Sequence, residues 1–358
     1  MKKKFIALEA YRGFAAVMIA AIHFDVNSPL ANHPLAIGYY VQFFFCLSGF
    51  VMYFNYKDRI ENFKDIKFFV KKRFLRLYPL HLFFLLVFLI IEIAKYVLLH
   101  EYNLPVNNPP FEKNNVYSFF ANILLLQTFL YEYTFNTPSW SISAEFYSYI
   151  IFAVLITFRF NLVVNFSVIL LIYLFRLNDK FNYGDSHTGY RSFLDCVYGF
   201  YWGILFCQLY IVCNKNKIYN FFKNIISFIL LIVTFFALTK LKNNYLLALP
   251  IFFGLLLFFS CDVDEKTHLG KLFFCNKILV YFGKISYSFY LSHLFIFWSL
   301  NNTGRWILKL DTFIDDDGIT RLDLSVMEAN IMVIISYTIT TAVSALLYKH
   351  VEKRFYNS

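Results

Sequence analysis

The sequence predicts an all-α, polytopic membrane fold of about ten transmembrane helices, with both termini cytoplasmic. Three observations predict it. Hydrophobic residues make up 59% of the 358 residues and charged residues only 16%, against roughly 25% in soluble domains; that is too little charge to cover a water-exposed surface of this size. The apolar residues gather into stretches close to the roughly 17–25 residues that a bilayer-spanning helix needs. Lys and Arg lie beside those stretches, as they do in cytoplasmic loops. Soluble, fibrous and disordered classes are excluded. The net charge of +10 is concentrated in Lys2–Lys4 and in Lys57–Arg76, both flanking apolar segments. The partner implied is therefore the lipid bilayer, not nucleic acid.

The spans follow in order as about 6–25, 35–54, 79–99, 140–158, 162–176, 191–212, 220–239, 244–260, 279–300 and 326–348. Glu9 and Arg12 interrupt the first, and no small-residue cleavage site follows, so it reads as a retained helix and not a signal peptide. An eleventh apolar stretch, 117–133, is expected to be re-entrant or peripheral. If it does not cross, the basic loops 213–223 and 261–278 and the C-terminal tail all fall on the cytoplasmic side, as the positive-inside rule favours. The six cysteines show no CxxC pair and no Cys/His ligand spacing, so neither a disulfide framework nor a metal site is expected. The loop 301–325 carries Asp311, Asp315, Asp316, Asp317 and Asp323. Phe313 and Leu324 stand where a calcium loop needs oxygen ligands, so it reads as a solvated acidic loop. The chain is expected to be one integral-membrane domain over 1–358 without an attached soluble domain.

Ionisable residues in a span are costly unless they face the protein interior, which makes each a functional candidate. Arg12 and His23 are eleven residues apart, which returns to nearly the same helix face and covers roughly 16 Å of axis. The plain alternative is a local Glu9–Arg12 ion pair and an interfacial histidine. Arg73 and Arg76 share one side of a helical turn ahead of Pro79, which is expected to open the third span. They can grip a phosphate bidentately or anchor anionic head groups. Pro138-Ser-Trp140-Ser141-Ile-Ser-Ala-Glu145 starts a helix with Ser141 and Glu145 one turn apart. Glu145 sits at the depth of His23, where a carboxylate could hold an imidazole in its base-competent tautomer; otherwise it is a carboxylate near the head groups. Ser286, Tyr290 and His293 follow one helical stripe, as a pocket wall or as a satisfied structural histidine. Lys95 and Lys284 lie near helix ends and are expected to snorkel.

Five motifs in order resemble the membrane-bound acyltransferase 3 family, integral-membrane O-acyltransferases of bacterial envelope glycans. They are Arg12-Gly13 with His23, Phe43-Phe-Phe-Cys-Leu-Ser48-Gly49-Phe50, Arg73-x-x-Arg76 with Pro79, the Pro138–Glu145 run, and Ser286-Tyr287-x-x-Tyr290-Leu291-x-His293. His350-Val-Glu352-Lys353 closes the chain much as family members close, with Arg354 in place of the usual proline. The resemblance covers essentially the whole chain. It implies transfer of an acyl group, most simply acetyl from acetyl-CoA, from cytoplasmic acyl-CoA to a hydroxyl of a cell-surface glycan or glycolipid, at a bacterial inner membrane. On this reading Arg12, Arg73 and Arg76 bind the coenzyme A phosphates. His23 is general base or acyl relay, oriented by Glu145. Ser48, Trp140, Ser141, Ser286, Tyr290 and His293 shape the substrate pocket, and no metal is needed. The competing reading is a multi-helix transporter of an acyl-sugar or lipid intermediate, with the same buried charges as a proton relay.

Overall fold

Where they are described, the apolar runs become helices, because a backbone in hydrocarbon has to satisfy its own hydrogen bonds. The computed structural model describes residues 5–24, 26, 28–31, 38–104, 106, 108–130, 134–158, 161–177, 189–213, 225–230, 232–233, 249–261, 275–314 and 320–356. About 80% of it is helix. The main helices are α1 (Ile6–His23), α2 (Gly38–Tyr56), α3 (Phe63–His100), α4 (Val116–Ile123), α5 (Trp140–Ile156), α6 (Leu162–Leu177), α7 (Tyr190–Cys213), α8 (Leu249–Ser260), α9 (Lys277–Asn302) and α10 (Val326–Leu347). Among the described residues, five stretches are long and apolar enough to cross a membrane: Ile6–His23, Phe63–His100, Thr137–Ile156, Tyr190–Cys213 and Val326–Phe355. The expected span 220–239 and Asp315–Asp317 of the acidic loop lie mostly or wholly outside the described residues.

Several expectations are corrected. Pro79 does not open the third span; it lies inside a 38-residue α3 that already begins at Phe63. A proline there removes a helix hydrogen bond. The carbonyl left without its helix partner is that of Leu75; two residues on, the Leu77 carbonyl accepts from the Tyr287 hydroxyl of α9. The fold is not wholly α: β1 (Thr312–Ile314) and β2 (Thr320–Leu322) pair antiparallel, with Phe313 opposite Arg321. Their β-branched and aromatic residues suit a short strand pair outside the apolar spans. Lys95, expected to snorkel, donates to buried Glu92 at 2.9 Å, three residues earlier on α3. Glu92 also accepts from the Phe111 amide and Asn114, tying down the loop after α3. Among the described residues of 117–133 the helix is α4, eight residues capped by Asn115. Its length of about 12 Å falls far short of the roughly 30 Å hydrocarbon core.

The chain forms two compact units. The first comprises Met1–Val17, Pro34–Phe74 and Ala144–Ser286, and the second Met18–His33, Leu75–Ser143 and Tyr287–Ser358. Helices α1, α3, α5 and α9 contribute residues to both.

In the first unit α7 packs against α2, α6 and α8. A Cβ on Gly203 would lie 1.9 Å from the Cys46 carbonyl oxygen, and one on Gly49 1.8 Å from that of Phe200. Only glycine lets the two backbones approach so closely. An ion pair inside this unit joins Arg176 of α6 to Asp195 of α7 at 3.1 Å, and Gln42 of α2 donates to the Asp195 carbonyl at 2.9 Å. In the second unit Phe24 stands edge-on to Phe297 and Tyr337, at centroid distances of 4.7 and 5.1 Å.

Candidate active site

The residues singled out in the sequence are divided between the two units. In the second unit His23 ends α1. Its Nδ1 lies 3.0 Å from the Ile19 carbonyl oxygen and 3.1 Å from Nε2 of His293, with the ring centroids 5.0 Å apart. A carbonyl can only accept, so the Ile19 contact assigns a proton to Nδ1. The basic lone pair of the neutral ring is then on Nε2. His293 is buried on α9, where the lone pair of its Nε2 can accept a hydrogen bond from His23 Nδ1.

The same unit shows how the Pro138 turn is held against α9. Tyr290, one turn before His293, donates from its hydroxyl to the Pro138 carbonyl at 2.9 Å and lies 2.9 Å from Ser141 Oγ. Asn136 donates to the Leu291 carbonyl at 2.9 Å. Gln127 donates to the Ser139 carbonyl at 3.0 Å and Thr128 to that of Trp140. Gln127 and Thr128 are fully buried, so the stretch after α4 braces the start of α5 with polar side chains. Asn136, Gln127 and Thr128 gave no signal in the sequence, since isolated amides and hydroxyls in an apolar run have no distinctive spacing.

In the first unit Arg73 of α3 is buried among three aromatic rings. Its Nη2 donates to the Tyr56 hydroxyl at 2.7 Å, and its Cζ lies 5.2, 5.6 and 5.9 Å from the ring centroids of Tyr56, Phe69 and Tyr149. Among the described residues Nε and Nη1 have no hydrogen-bond partner. A buried guanidinium with donors left over is a ready recipient for an anion. Tyr149 also donates to Oε1 of Glu145, as does Ser48. Glu145 Oε2 accepts no hydrogen bond among the described residues. Ser48, expected as a pocket residue, thus holds a carboxylate. Tyr149 follows Glu145 by one helical turn, and that i,i+4 spacing is the signal that could have found it.

Arg12, also in the first unit, is half-buried and makes no ion pair or hydrogen bond among the described residues; the local pairing with Glu9 is not formed there. Gly13 beside it faces the Leu279 carbonyl, with 2.2 Å between that oxygen and an added Cβ. Ser286 is buried with no hydrogen-bond partner for its hydroxyl among the described residues. Trp140 and Arg76, in the second unit, are half-buried. The sequence reading paired Glu145 with His23. The hydrogen bonds described for Glu145 run to Ser48 and Tyr149, and those described for the His23 ring to Ile19 and His293. Among the described residues no group of three or more His, Cys, Asp or Glu is placed to hold a metal ion.

A largely helical chain with five stretches, among its described residues, long and apolar enough to cross a membrane has the character of a membrane protein. Comparison with known proteins gives the family: residues 5–349 match the acyltransferase 3 model, described as an acyltransferase domain, and the chain belongs to this family. It is similar to acyltransferase MdmB of Streptomyces mycarofaciens, 32% identical over 160 residues, which cover 41% of this chain and 38% of that protein. It is also similar to protein 2 in the picA locus of Rhizobium radiobacter, 36% identical over 97 residues, which cover 27% of this chain and 50% of that protein. The matches thus span half or less of these relatives. No solved structure matches the chain.

Proposed function

We propose that this chain is a membrane O-acyltransferase that moves an acyl group, in the simplest case acetyl, from cytoplasmic acyl-CoA to a hydroxyl of a cell-surface glycan or glycolipid. Family membership supports the reaction class. The observation that carries the mechanism is the contact of His23 with Ile19 and His293, which leaves Nε2 as the basic nitrogen of the neutral ring. In the proposed step Nε2 takes the proton of the acceptor hydroxyl as its oxygen attacks the thioester carbonyl. The carbon–sulfur bond then breaks, and the proton passes from His23 to the departing coenzyme A sulfur. An imidazole can both take up and return a proton, which suits both transfers. His293 would stabilise the imidazolium through its contact with Nδ1, the part an aspartate plays in a serine-hydrolase triad. An acyl-imidazole relay on His23 uses the same residues.

Arg73, with its two remaining donor atoms, would bind a coenzyme A phosphate, and Arg12 and Arg76 keep the same role from the family resemblance. Glu145 is the second catalytic residue of the proposal, its carboxylate held by Ser48 and Tyr149. Trp140, Ser141, Tyr290 and Ser286 would shape the acyl and acceptor pocket. A ten-span arrangement over 1–358 with both termini cytoplasmic belongs to the same proposal, supported by the positive-inside bias of the loops.

The test is chemical analysis of envelope polysaccharide from cells with and without the protein. Loss of an ester-linked acyl group in its absence is the expected result. Identical polysaccharide from both strains, under conditions where the protein is produced, would defeat the proposal.

A further inference from the structure

Tyr149 is the residue at which Arg73 and Glu145, both in the first unit, meet. The face of its ring lies 5.9 Å from the Arg73 guanidinium carbon, and its hydroxyl donates to Glu145 Oε1. Its ring stands edge-on to Phe69, the second member of the cage, at 6.1 Å, and to Phe200 of α7 at 5.9 Å. Two rings from different helices therefore fix its orientation. The side chain is buried, so it offers neither contact to bulk water. An aromatic face attracts a guanidinium most strongly when both are desolvated, and a hydroxyl bond to a carboxylate is among the stronger kinds of hydrogen bond.

We propose that Tyr149 is a positioning residue with two separable duties in the transfer reaction. Its ring holds the Arg73 guanidinium with the two remaining donors available to a phosphate of the acyl-CoA donor. Its hydroxyl, with Ser48, holds Glu145 Oε1, which fixes the direction in which Oε2 points. This rests on the reading above that Arg73 binds the donor and Glu145 acts in the chemistry. The duties can be separated because phenylalanine keeps the ring and loses the hydroxyl, whereas leucine loses both.

The experiment uses the full chain purified in nanodiscs. It measures equilibrium binding of coenzyme A, and separately the rate of coenzyme A release from acetyl-CoA in the presence of envelope membranes as acceptor source. Tyr149→Phe is expected to bind coenzyme A as the parent does and to turn over about tenfold more slowly, with an unchanged KM for acetyl-CoA, since one of two bonds to the carboxylate is lost. Tyr149→Leu is expected to bind coenzyme A about tenfold more weakly as well, a factor in the range of a desolvated cation–π contact. Arg73→Ala is the reference and should bind at least as weakly as Tyr149→Leu. Parent-like turnover in Tyr149→Phe would overturn the hydroxyl's duty. Parent-like binding in Tyr149→Leu, with weak binding in Arg73→Ala, would overturn the ring's duty alone. Parent-like binding in Arg73→Ala would instead defeat the donor-site reading. Should Tyr149→Leu not fold, Tyr149→Trp, which keeps an aromatic face and lacks the hydroxyl, is expected to match Tyr149→Phe in both measurements, and weak coenzyme A binding by it would count against the ring's duty.

Discussion

Replacing His293 by alanine removes the group 3.1 Å from His23 Nδ1 and leaves the Ile19 carbonyl at 3.0 Å in place. The tautomer of His23 should therefore survive. What is lost is one partner of the imidazolium that forms as the acceptor is deprotonated. A hydrogen bond to a charged group contributes about 1.5–3 kcal/mol, and each 1.36 kcal/mol in a barrier is a factor of ten in rate. His293→Ala should thus slow transfer by roughly ten- to a hundredfold. His23→Ala removes the base itself and should cost about 10²–10⁴-fold. Because His293 acts through His23, the double variant should be no slower than His23→Ala alone, the strong non-additivity seen when residues act as a unit. The assay is coenzyme A release from acetyl-CoA by purified protein with envelope membranes as acceptor source, run on all four proteins of the cycle. If the double variant lost the His293 factor again on top of the His23 factor, the two histidines would be acting independently and the proposed pair would be refuted.

Three other predictions concern different parts of the molecule. Arg76→Ala should raise the KM for acyl-CoA with little change in kcat, and an unchanged KM in steady-state kinetics would remove it from the donor site. Gly203→Ala would set a Cβ 1.9 Å from the Cys46 carbonyl, forcing α7 away from α2. A clear fall in the thermal transition of the detergent-purified protein is expected, and an unchanged transition would show that the helices can separate without cost. Asp195→Ala strands Arg176 in a site where both side chains are about a tenth exposed. Breaking such a pair typically costs about 3–5 kcal/mol, so thermal stability should fall well below that of a variant at an exposed site such as Asp58→Ala.

The helical membrane architecture was legible because the hydrophobic runs are long and interrupted at few places, so length and charge placement decide the element type without help from tertiary contacts. What was missed follows from the same logic. Pro79 reads as the opening of a helix, and nothing in the local sequence says that the helix already runs from Phe63. The two short strands were invisible because three-residue segments carry too little pattern to read. Among the candidate residues, His23, Glu145 and Arg73 stood out because ionisable groups are rare in apolar spans. His293 was placed in the pocket, but its contact with His23 could not be read, since nothing in helical periodicity says which stripes of two distant helices meet. The aromatic cage of Tyr56, Phe69 and Tyr149 was hidden by abundance: in a chain with 27 Tyr and 47 Phe, an aromatic residue near an arginine is no signal by itself. Ser48 enters the pocket only through the family resemblance, and nothing in its span says that its hydroxyl donates to Glu145.

Reconstitution provides the most direct test of the account. Purified protein would be placed in proteoliposomes loaded with envelope glycolipid and supplied with radiolabelled acetyl-CoA, and label released from the glycolipid by mild alkali would be counted. Alkali-labile label on the acceptor with the parent protein, falling to background with His23→Ala of equal abundance, is the predicted result. Equal labelling by the two proteins, or movement of intact glycolipid across the bilayer with no ester formed, would contradict it.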